Sequence, residues 1–168
     1  MDLAAFNALP PDEAAEVVGV WAAIDDWTRA VVGGRPYPTV DALDEAARTA
    51  SLTWTEADLA AAIAHHPRIG ERAVGADRAA AASRSEQASM ADADAEVTAA
   101  IAAAGADYEA RFDRVFLIRA AGRTPAEMLS EARRRLRNDP VTETVEVREQ
   151  LRQIALLRLR TTVTEEPA

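Results

Sequence analysis

Alanine is the commonest residue in this chain, and its abundance limits the fold more than any other feature. Alanine has the highest helix propensity of all residues, and the β-branched runs that favour strands are short here. Only 7 glycines and 8 prolines interrupt the 168 residues. The pattern predicts an all-α fold, which we expect to be a single-domain bundle of about eight helices.

Local signals place several of these helices. Thr39 is a predicted N-cap, and Thr55 with Asp58 and Thr124 with Glu127 form predicted capping boxes. The last helix is expected over 141–162. Residues 115–118 are expected to be a short apolar segment, non-helical or extended, although periodicity does not exclude a helix. We expect one helical domain over 1–163 and a short tail over 164–168.

Composition excludes several functions. The chain has no cysteine, so disulfides and thiolate catalysis are excluded. Its formal net charge of −9 and lack of a basic stripe argue against nucleic-acid binding. No apolar run is long enough to span a membrane, and the N-terminus has no secretory signal pattern. We therefore expect a cytoplasmic protein that does not bind membranes.

The chain has only two histidines, His65 and His66. We expect the helix that starts after Thr55 to continue to one of them, which would place His66 on the apolar face of Leu59 and Ile63. An inward imidazole at a helix end is suited to proton transfer near neutral pH. A core histidine bonded to a carbonyl is the commoner interpretation of such spacing. Neighbouring histidines on a helix cannot easily share one ion, so no metal site is expected.

Ser83 and Glu86 have the spacing of a capping box, which predicts a short helix over 83–90. The ordinary interpretation is a cap alone. The functional interpretation is an anion site at a helix N-terminus, with Glu86 and Gln87 adding hydrogen bonds to a polar ligand. Gly105 and Gly122 are isolated and are predicted to lie in turns.

Arg158 continues the apolar stripe of Val147, Leu151 and Ile154 on the last helix. A core-facing arginine needs a partner, so it either extends to the rim of the core or binds an anion in a cavity. The basic residues in 133–137 are instead expected to form a solvated face. They include Arg135.

Taken in order, these segments resemble the 2-oxo-4-hydroxy-4-carboxy-5-ureidoimidazoline (OHCU) decarboxylases over most of the chain. Each motif is weak alone, but the order and spacing are specific. The most specific segments are His65-His66-Pro67-Arg68-Ile69-Gly70-Glu71 and Ser83-Arg84-Ser85-Glu86-Gln87-Ala88. The resemblance continues through Tyr108-Glu109-Ala110-Arg111-Phe112, Val115-Phe116-Leu117-Ile118, Arg135-Leu136-Arg137-Asn138 and Gln153-Ile154-Ala155-Leu156-Leu157-Arg158-Leu159.

The resemblance implies an all-α homodimer that converts the OHCU intermediate of urate breakdown to (S)-allantoin and carbon dioxide without a metal or organic cofactor. It implies catalytic roles for His66, Glu86 and Arg158. The residues that it implies in substrate binding are Pro67, Ser83, Arg84, Ser85, Glu86, Gln87, Ile118, Arg119, Ala120, Ala121 and Gly122.

This sequence departs from the family pattern at three places: Gly105, where an Asn is expected, Arg119, where a small residue is common, and Ser89-Met90, in place of a Gly-aliphatic pair. Two alternatives remain open. One is an acidic helical interaction domain in which His66 and Arg158 are structural. The other is a related enzyme that acts on a different ureido or imidazole acid.

Overall fold

The computed structural model describes residues 1–64, 66–71 and 78–165. These residues form nine α-helices and two 3₁₀ turns, and none of them lies in a β-strand. The all-α prediction is therefore confirmed. The chain forms two compact units, Met1–Ala62 with Arg152–Ala168 and Ile63–Leu151. Within the described residues, no helix is long and apolar enough to cross a membrane.

The first unit is built from the N-terminal helices and the end of the last helix. Its helices are α1 (Leu3–Ala8), α2 (Pro11–Trp21), α3 (Asp25–Gly33) and α4 (Val40–Ala50), followed by a 3₁₀ turn (Ser51–Thr53) and most of α5 (Glu56–Ile63). Thr39 caps α4 through its side chain, as predicted. Thr55 and Asp58 form the predicted reciprocal hydrogen bonds at the start of α5.

Tryptophans make up much of the core of the first unit. The ring centroids of Trp21 and Trp27 lie 6.5 Å apart, and those of Trp27 and Trp54 lie 5.7 Å apart. Phe6 extends this row, with its centroid 5.7 Å from that of Trp21. Trp27 Nε1 donates to the Ala47 carbonyl at 2.9 Å, which joins α3 to α4. Aromatic rings packed edge to face bury much apolar area with few rotatable bonds.

The start of the expected tail is bonded to the first unit. The Thr164 carbonyl accepts from the Leu3 N–H at 3.0 Å. A Glu165 carboxylate oxygen accepts from the Val40 N–H at 2.7 Å. Residues 166–168 lie outside the described residues.

The second unit begins at the end of α5. It contains α6 (Arg78–Glu86), a 3₁₀ turn (Ala88–Asp92), α7 (Ala95–Phe112), α8 (Pro125–Arg135) and the first half of α9 (Pro140–Thr162). Thr124 and Glu127 form the predicted capping box of α8. Residues 115–118, between α7 and α8, are non-helical, which agrees with the prediction.

A buried ion pair lies at the centre of the second unit. Arg135 and Glu143 have side chains only 0% and 1% exposed. Arg135 Nε donates to Glu143 Oε1 at 2.9 Å, and Arg135 Nη1 donates to the Leu117 carbonyl at 2.7 Å. The Tyr108 hydroxyl donates to the same carboxylate, and burial raises the pKa of this phenol above its ordinary value. The second Glu143 oxygen accepts from Asn138 Nδ2 at 2.9 Å.

Arg135 also lies over aromatic rings, with its Cζ atom 4.8 Å from the Phe116 centroid. The expectation of a solvated basic face is thus wrong at Arg135. The residue continues the buried stripe of Met128 and Ala132 along α8. Its charge is tolerated because a carboxylate, a carbonyl and aromatic faces surround it.

Two other local expectations were wrong. Ser83 does not start a helix over 83–90, since α6 already begins at Arg78. The alanines before Ser83 extend the helix upstream, because they are the strongest helix formers. Gly105 lies inside α7 rather than in a turn. Packing of a long helix offsets the cost of one interior glycine, which is about 1 kcal/mol.

We predict that Glu143→Gln lowers the free energy of unfolding by about 3 kcal/mol, because it leaves the Arg135 charge buried without a counterion. Urea unfolding followed by circular dichroism measures this. The matched control is Asp26→Asn, which breaks an ion pair with Arg29 in which both side chains are at least 75% exposed. The control should change the free energy by less than about 0.5 kcal/mol. Equal effects of the two variants would contradict the prediction.

Candidate active site

His66 lies in a loop that follows α5. The helix ends at Ile63, and the His66 N–H donates to the Ile63 carbonyl at 2.9 Å. Pro67 disfavours helical geometry at the residue before it, which explains why the helix stops early. The predicted place of His66 on the helix face is therefore wrong. The residue is nevertheless half-buried, and its Nε2 atom is buried. His65 lies outside the described residues.

The side-chain amide of Gln87 holds the loop that follows His66. Gln87 Oε1 accepts from the Gly70 N–H at 2.9 Å, and Gln87 Nε2 donates to the Arg68 carbonyl at 3.3 Å. Ile69, between these two residues, packs against the core cluster that contains Ile118. The loop is thus attached through its backbone to the end of α6 and through one side chain to the core.

Ser83, Glu86 and Gln87 lie on one face at the end of α6. Their spacing of three and four residues puts them together, and Ser83 is buried while Glu86 is half-buried. Arg84 is half-buried and Ser85 is exposed. The cap interpretation of Ser83 and the alternative of an anion site at a helix N-terminus are both wrong, because Ser83 lies in the last turn of α6, where N–H groups bond within the helix.

The segment 118–122 is held through its backbone. The Arg119 N–H donates to Gln150 Oε1 at 2.9 Å, so this N–H is already bonded. The Arg123 N–H donates to the Ala120 carbonyl at 3.0 Å and closes a turn. Gly122 has a φ of +80°, which glycine adopts without strain, and its predicted turn is confirmed. Ile118 and Ala120 are buried, and Ala121 is half-buried.

Arg158 belongs to the first unit and is only 6% exposed. Its Nη1 atom donates to the Val20 carbonyl at 2.9 Å. The apolar stripe predicted along α9 is confirmed, because Val147, Leu151 and Ile154 are all buried. Arg158 therefore lies inside the fold rather than at its surface.

An ion pair that sequence reasoning missed joins the His66 loop to α7. Arg68 Nε and Nη2 donate to the two Glu109 carboxylate oxygens at 2.6 and 2.9 Å. This pairing lowers the pKa of Glu109 and raises that of Arg68. No local spacing indicates the pair, because its members are 41 positions apart.

A cavity of about 370 Å³ lies in the second unit, next to this ion pair. It is lined by Arg68, Ile69, Gly70, Glu71, Thr98, Ile101, Ala102, Gly105, Ala106, Glu109, Val115 and Phe116. None of the predicted catalytic or substrate-binding residues lines it. Among the residues that the structure describes, no three His, Cys, Asp or Glu side chains cluster as metal ligands would.

Two solved structures share this all-α fold. One is a crystal structure of OHCU decarboxylase in the presence of (S)-allantoin, with 24% identity, a TM-score of 0.72, and coverage of 86% of this chain and 94% of that one. The other is a crystal structure of (S)-allantoin synthase, with 14% identity, a TM-score of 0.71, and coverage of 97% of this chain and 54% of that one. The likeness shows that the chain shares their all-α fold.

A family model described as OHCU decarboxylase matches residues 7–160, and the chain belongs to this family. The resemblance read from the sequence is confirmed. Membership makes the chain an enzyme of the decarboxylase class, in urate degradation. The interaction-domain alternative is thereby excluded. A search of curated proteins found none that matches the chain.

We predict that Gly105→Ala raises the free energy of unfolding by about 0.5–1 kcal/mol, because alanine favours the helix. A Cβ atom at Gly105 would meet no atom within 4 Å. The matched control is Gly34→Ala, since a Cβ atom there would collide with the Tyr37 hydroxyl. Thermal unfolding should therefore shift upward for the first variant and downward for the second. A lower melting temperature for Gly105→Ala would refute the prediction.

Proposed function

We propose that this chain decarboxylates OHCU to (S)-allantoin and carbon dioxide. The observation that carries the proposal is the family match over residues 7–160, which includes the His66 loop, the end of α6, the segment 118–122 and Arg158. The remaining alternative is the same chemistry on a related ureido or imidazole acid. The assay below distinguishes the two by using the OHCU intermediate itself.

The chemistry requires few protein groups. Loss of carbon dioxide leaves a carbanion beside the conjugated ring of the substrate, and the ring can hold this charge itself. We therefore propose that no cofactor takes part. The protein must orient the carboxylate, stabilise the charge that spreads onto the ring, and deliver one proton to one face.

We assign the proton transfer to His66. The imidazole takes the proton of the substrate hydroxyl, returns a proton to the carbanion, or does both. The half-buried position of His66 supports this assignment, because an imidazole partly screened from water exchanges its proton with a bound ligand in preference to bulk solvent. Gln87 is hydrogen-bonded to the backbone of Arg68 and Gly70, which follow His66 in the same loop. These bonds limit the movement of the imidazole.

We assign substrate contacts to two regions of the second unit. Glu86 and Ser83 present polar groups on one face of α6, with Arg84 and Ser85 beside them, and Pro67 lies in the adjoining loop. Gln87 would contribute to binding by fixing that loop as well as by direct contact. In the segment 118–122, we assign the contacts to backbone atoms other than the Arg119 N–H, which is bonded to Gln150.

Arg158 is proposed to stabilise negative charge in the substrate. A buried guanidinium interacts strongly with an anion, because little water is present to screen the two charges. We also propose that the enzyme is a homodimer, as the family resemblance implies. We further propose that it is cytoplasmic, since a chain without cysteine suits a reducing compartment. Sedimentation velocity and fractionation of the source cells test these two proposals.

The reaction is tested by a coupled assay. Urate is converted by uricase and hydroxyisourate hydrolase, the purified chain is added, and the optical activity of allantoin is followed. We expect optical activity to appear faster than in the spontaneous, racemising background. A rate and enantiomeric excess equal to those without the chain would refute the proposed function.

The same assay tests the role of His66. His66→Ala should lower kcat by at least about a hundredfold, since general acid–base groups contribute this much. Helical circular dichroism should be unchanged. His65→Ala is the neighbouring control and should have a mild effect. Near-wild-type turnover of the His66 variant would exclude the role given to it.

Arg158→Lys should lower kcat/KM by about tenfold, because lysine keeps the charge but loses the planar fork of donors. The matched control on the same helix is Arg160→Lys. Arg160 is about half exposed and pairs with Asp41 and Asp44 at 2.9 and 2.7 Å. The control should retain its kcat/KM, and equal losses in both variants would contradict the role of Arg158.

A further inference from the structure

We propose that Glu109 is a positioning residue for the reaction and that, through Arg68, it fixes the loop that carries His66. Glu109 does not act on the substrate in this proposal. The proposal rests on the proposed function of His66, and it adds a residue on another helix to the machinery that sets the position of the imidazole.

The geometry of the contact supports this role. Arg68 is two positions after His66, and its guanidinium uses two nitrogen atoms on the two Glu109 oxygens, at 2.6 and 2.9 Å. A paired fork of this kind fixes direction as well as distance. The Arg68 side chain is 54% exposed and the Glu109 side chain 27% exposed. The contact therefore restrains the loop without burying it.

Glu109 lies on a rigid part of the fold. The residue before it, Tyr108, is fully buried and bonded to Glu143. Glu109 itself lies in the last turns of α7, a helix of 18 residues. The loop is thus tied to a helix whose position is set by the buried network.

The other ion pair of Arg68 lies within the loop itself. Arg68 also approaches Glu71 at 3.6 Å, but Glu71 belongs to the same loop. A contact within the loop cannot fix it to a helix. Gln87 holds the loop backbone from α6, and Glu109 holds the Arg68 side chain from α7. Together with the packing of Ile69 on the core, these two attachments define the orientation of the loop.

A small displacement of a proton donor is sufficient to slow catalysis, because proton transfer needs hydrogen-bond distance to the reacting atom. Loss of the Glu109 attachment should therefore lower the fraction of enzyme in which His66 is aligned. Substrate binding should change little, because most of the groups assigned to it lie outside this loop. The expected signature is a loss in kcat with little change in KM.

The test compares Glu109→Gln with a closely matched control, Glu146→Gln. Glu146 is 25% exposed and pairs at 2.8 Å with Arg134, which also pairs with a glutamate three positions before it, Glu131. Arg68 likewise pairs with a glutamate three positions away. Both variants remove one negative charge from a partly exposed pair in the second unit, but only Glu109 touches the His66 loop.

We expect Glu109→Gln to lower kcat by about fivefold, the largest factor usual for an exposed pair, with KM within about twofold. Glu146→Gln should keep the wild-type kcat, and the two melting temperatures should shift equally. Arg68→Gln should lose as much kcat as Glu109→Gln, and the double variant should lose no more than either. Equal kcat values for the two glutamate variants, or additive losses in the double variant, would overturn the proposal.

A second measurement does not depend on activity. The Gly70 N–H donates to Gln87, so its hydrogen exchange reports how well the loop is held. We expect exchange at Gly70 to quicken by about fivefold in Glu109→Gln and not in Glu146→Gln. Unchanged exchange at Gly70 would refute the positioning role. An inactive wild-type chain would refute the proposed function instead, and the exchange measurement would still test the attachment of the loop.

Discussion

The second unit depends on the buried pair of Arg135 and Glu143. Removing two charges from water costs several kcal/mol per ion, and only a complete set of hydrogen bonds offsets it. Here Glu143 accepts from Tyr108 on α7, from Arg135 on α8 and from Asn138, while Arg135 also donates to the Leu117 carbonyl. The polar atoms of three helices and two connecting segments must therefore meet at one point, and small shifts of any helix leave a charge unsatisfied.

This constraint extends to the candidate site through the backbone. The Leu117 carbonyl, bonded to Arg135, immediately precedes the segment 118–122, and the Arg119 N–H is bonded to Gln150. These bonds use main-chain atoms, so they do not depend on which side chain stands at position 119. The departure from the family pattern at Arg119 is therefore compatible with the same backbone path. Gly105 likewise changes the lining of the cavity and leaves α7 intact.

Sequence reasoning succeeded where structure is determined locally. The Thr39 cap and the Thr124–Glu127 box involve residues three positions apart, and both are present. The same rule failed at Ser83, because serine and glutamate at that spacing also occur inside a helix, and the preceding alanines continue α6 through it. The buried Arg135 was missed although Met128 and Ala132 share its stripe, since its partner lies on another helix and spacing does not reveal it.

In the candidate site, too, the sequence predicts features that depend on neighbouring residues and misses contacts between distant ones. The segment that contains His66 is recognisable from its own residues, but the contacts that fix this segment are not visible in the sequence. Gln87 has the sequence context of a ligand-binding amide, yet its side-chain oxygen and nitrogen are both hydrogen-bonded to the loop backbone. Glu109 follows a buried tyrosine and has no local signal of its role. Because proton transfer depends on alignment as well as on the imidazole, residues that set the loop should affect turnover, in addition to those that touch the substrate.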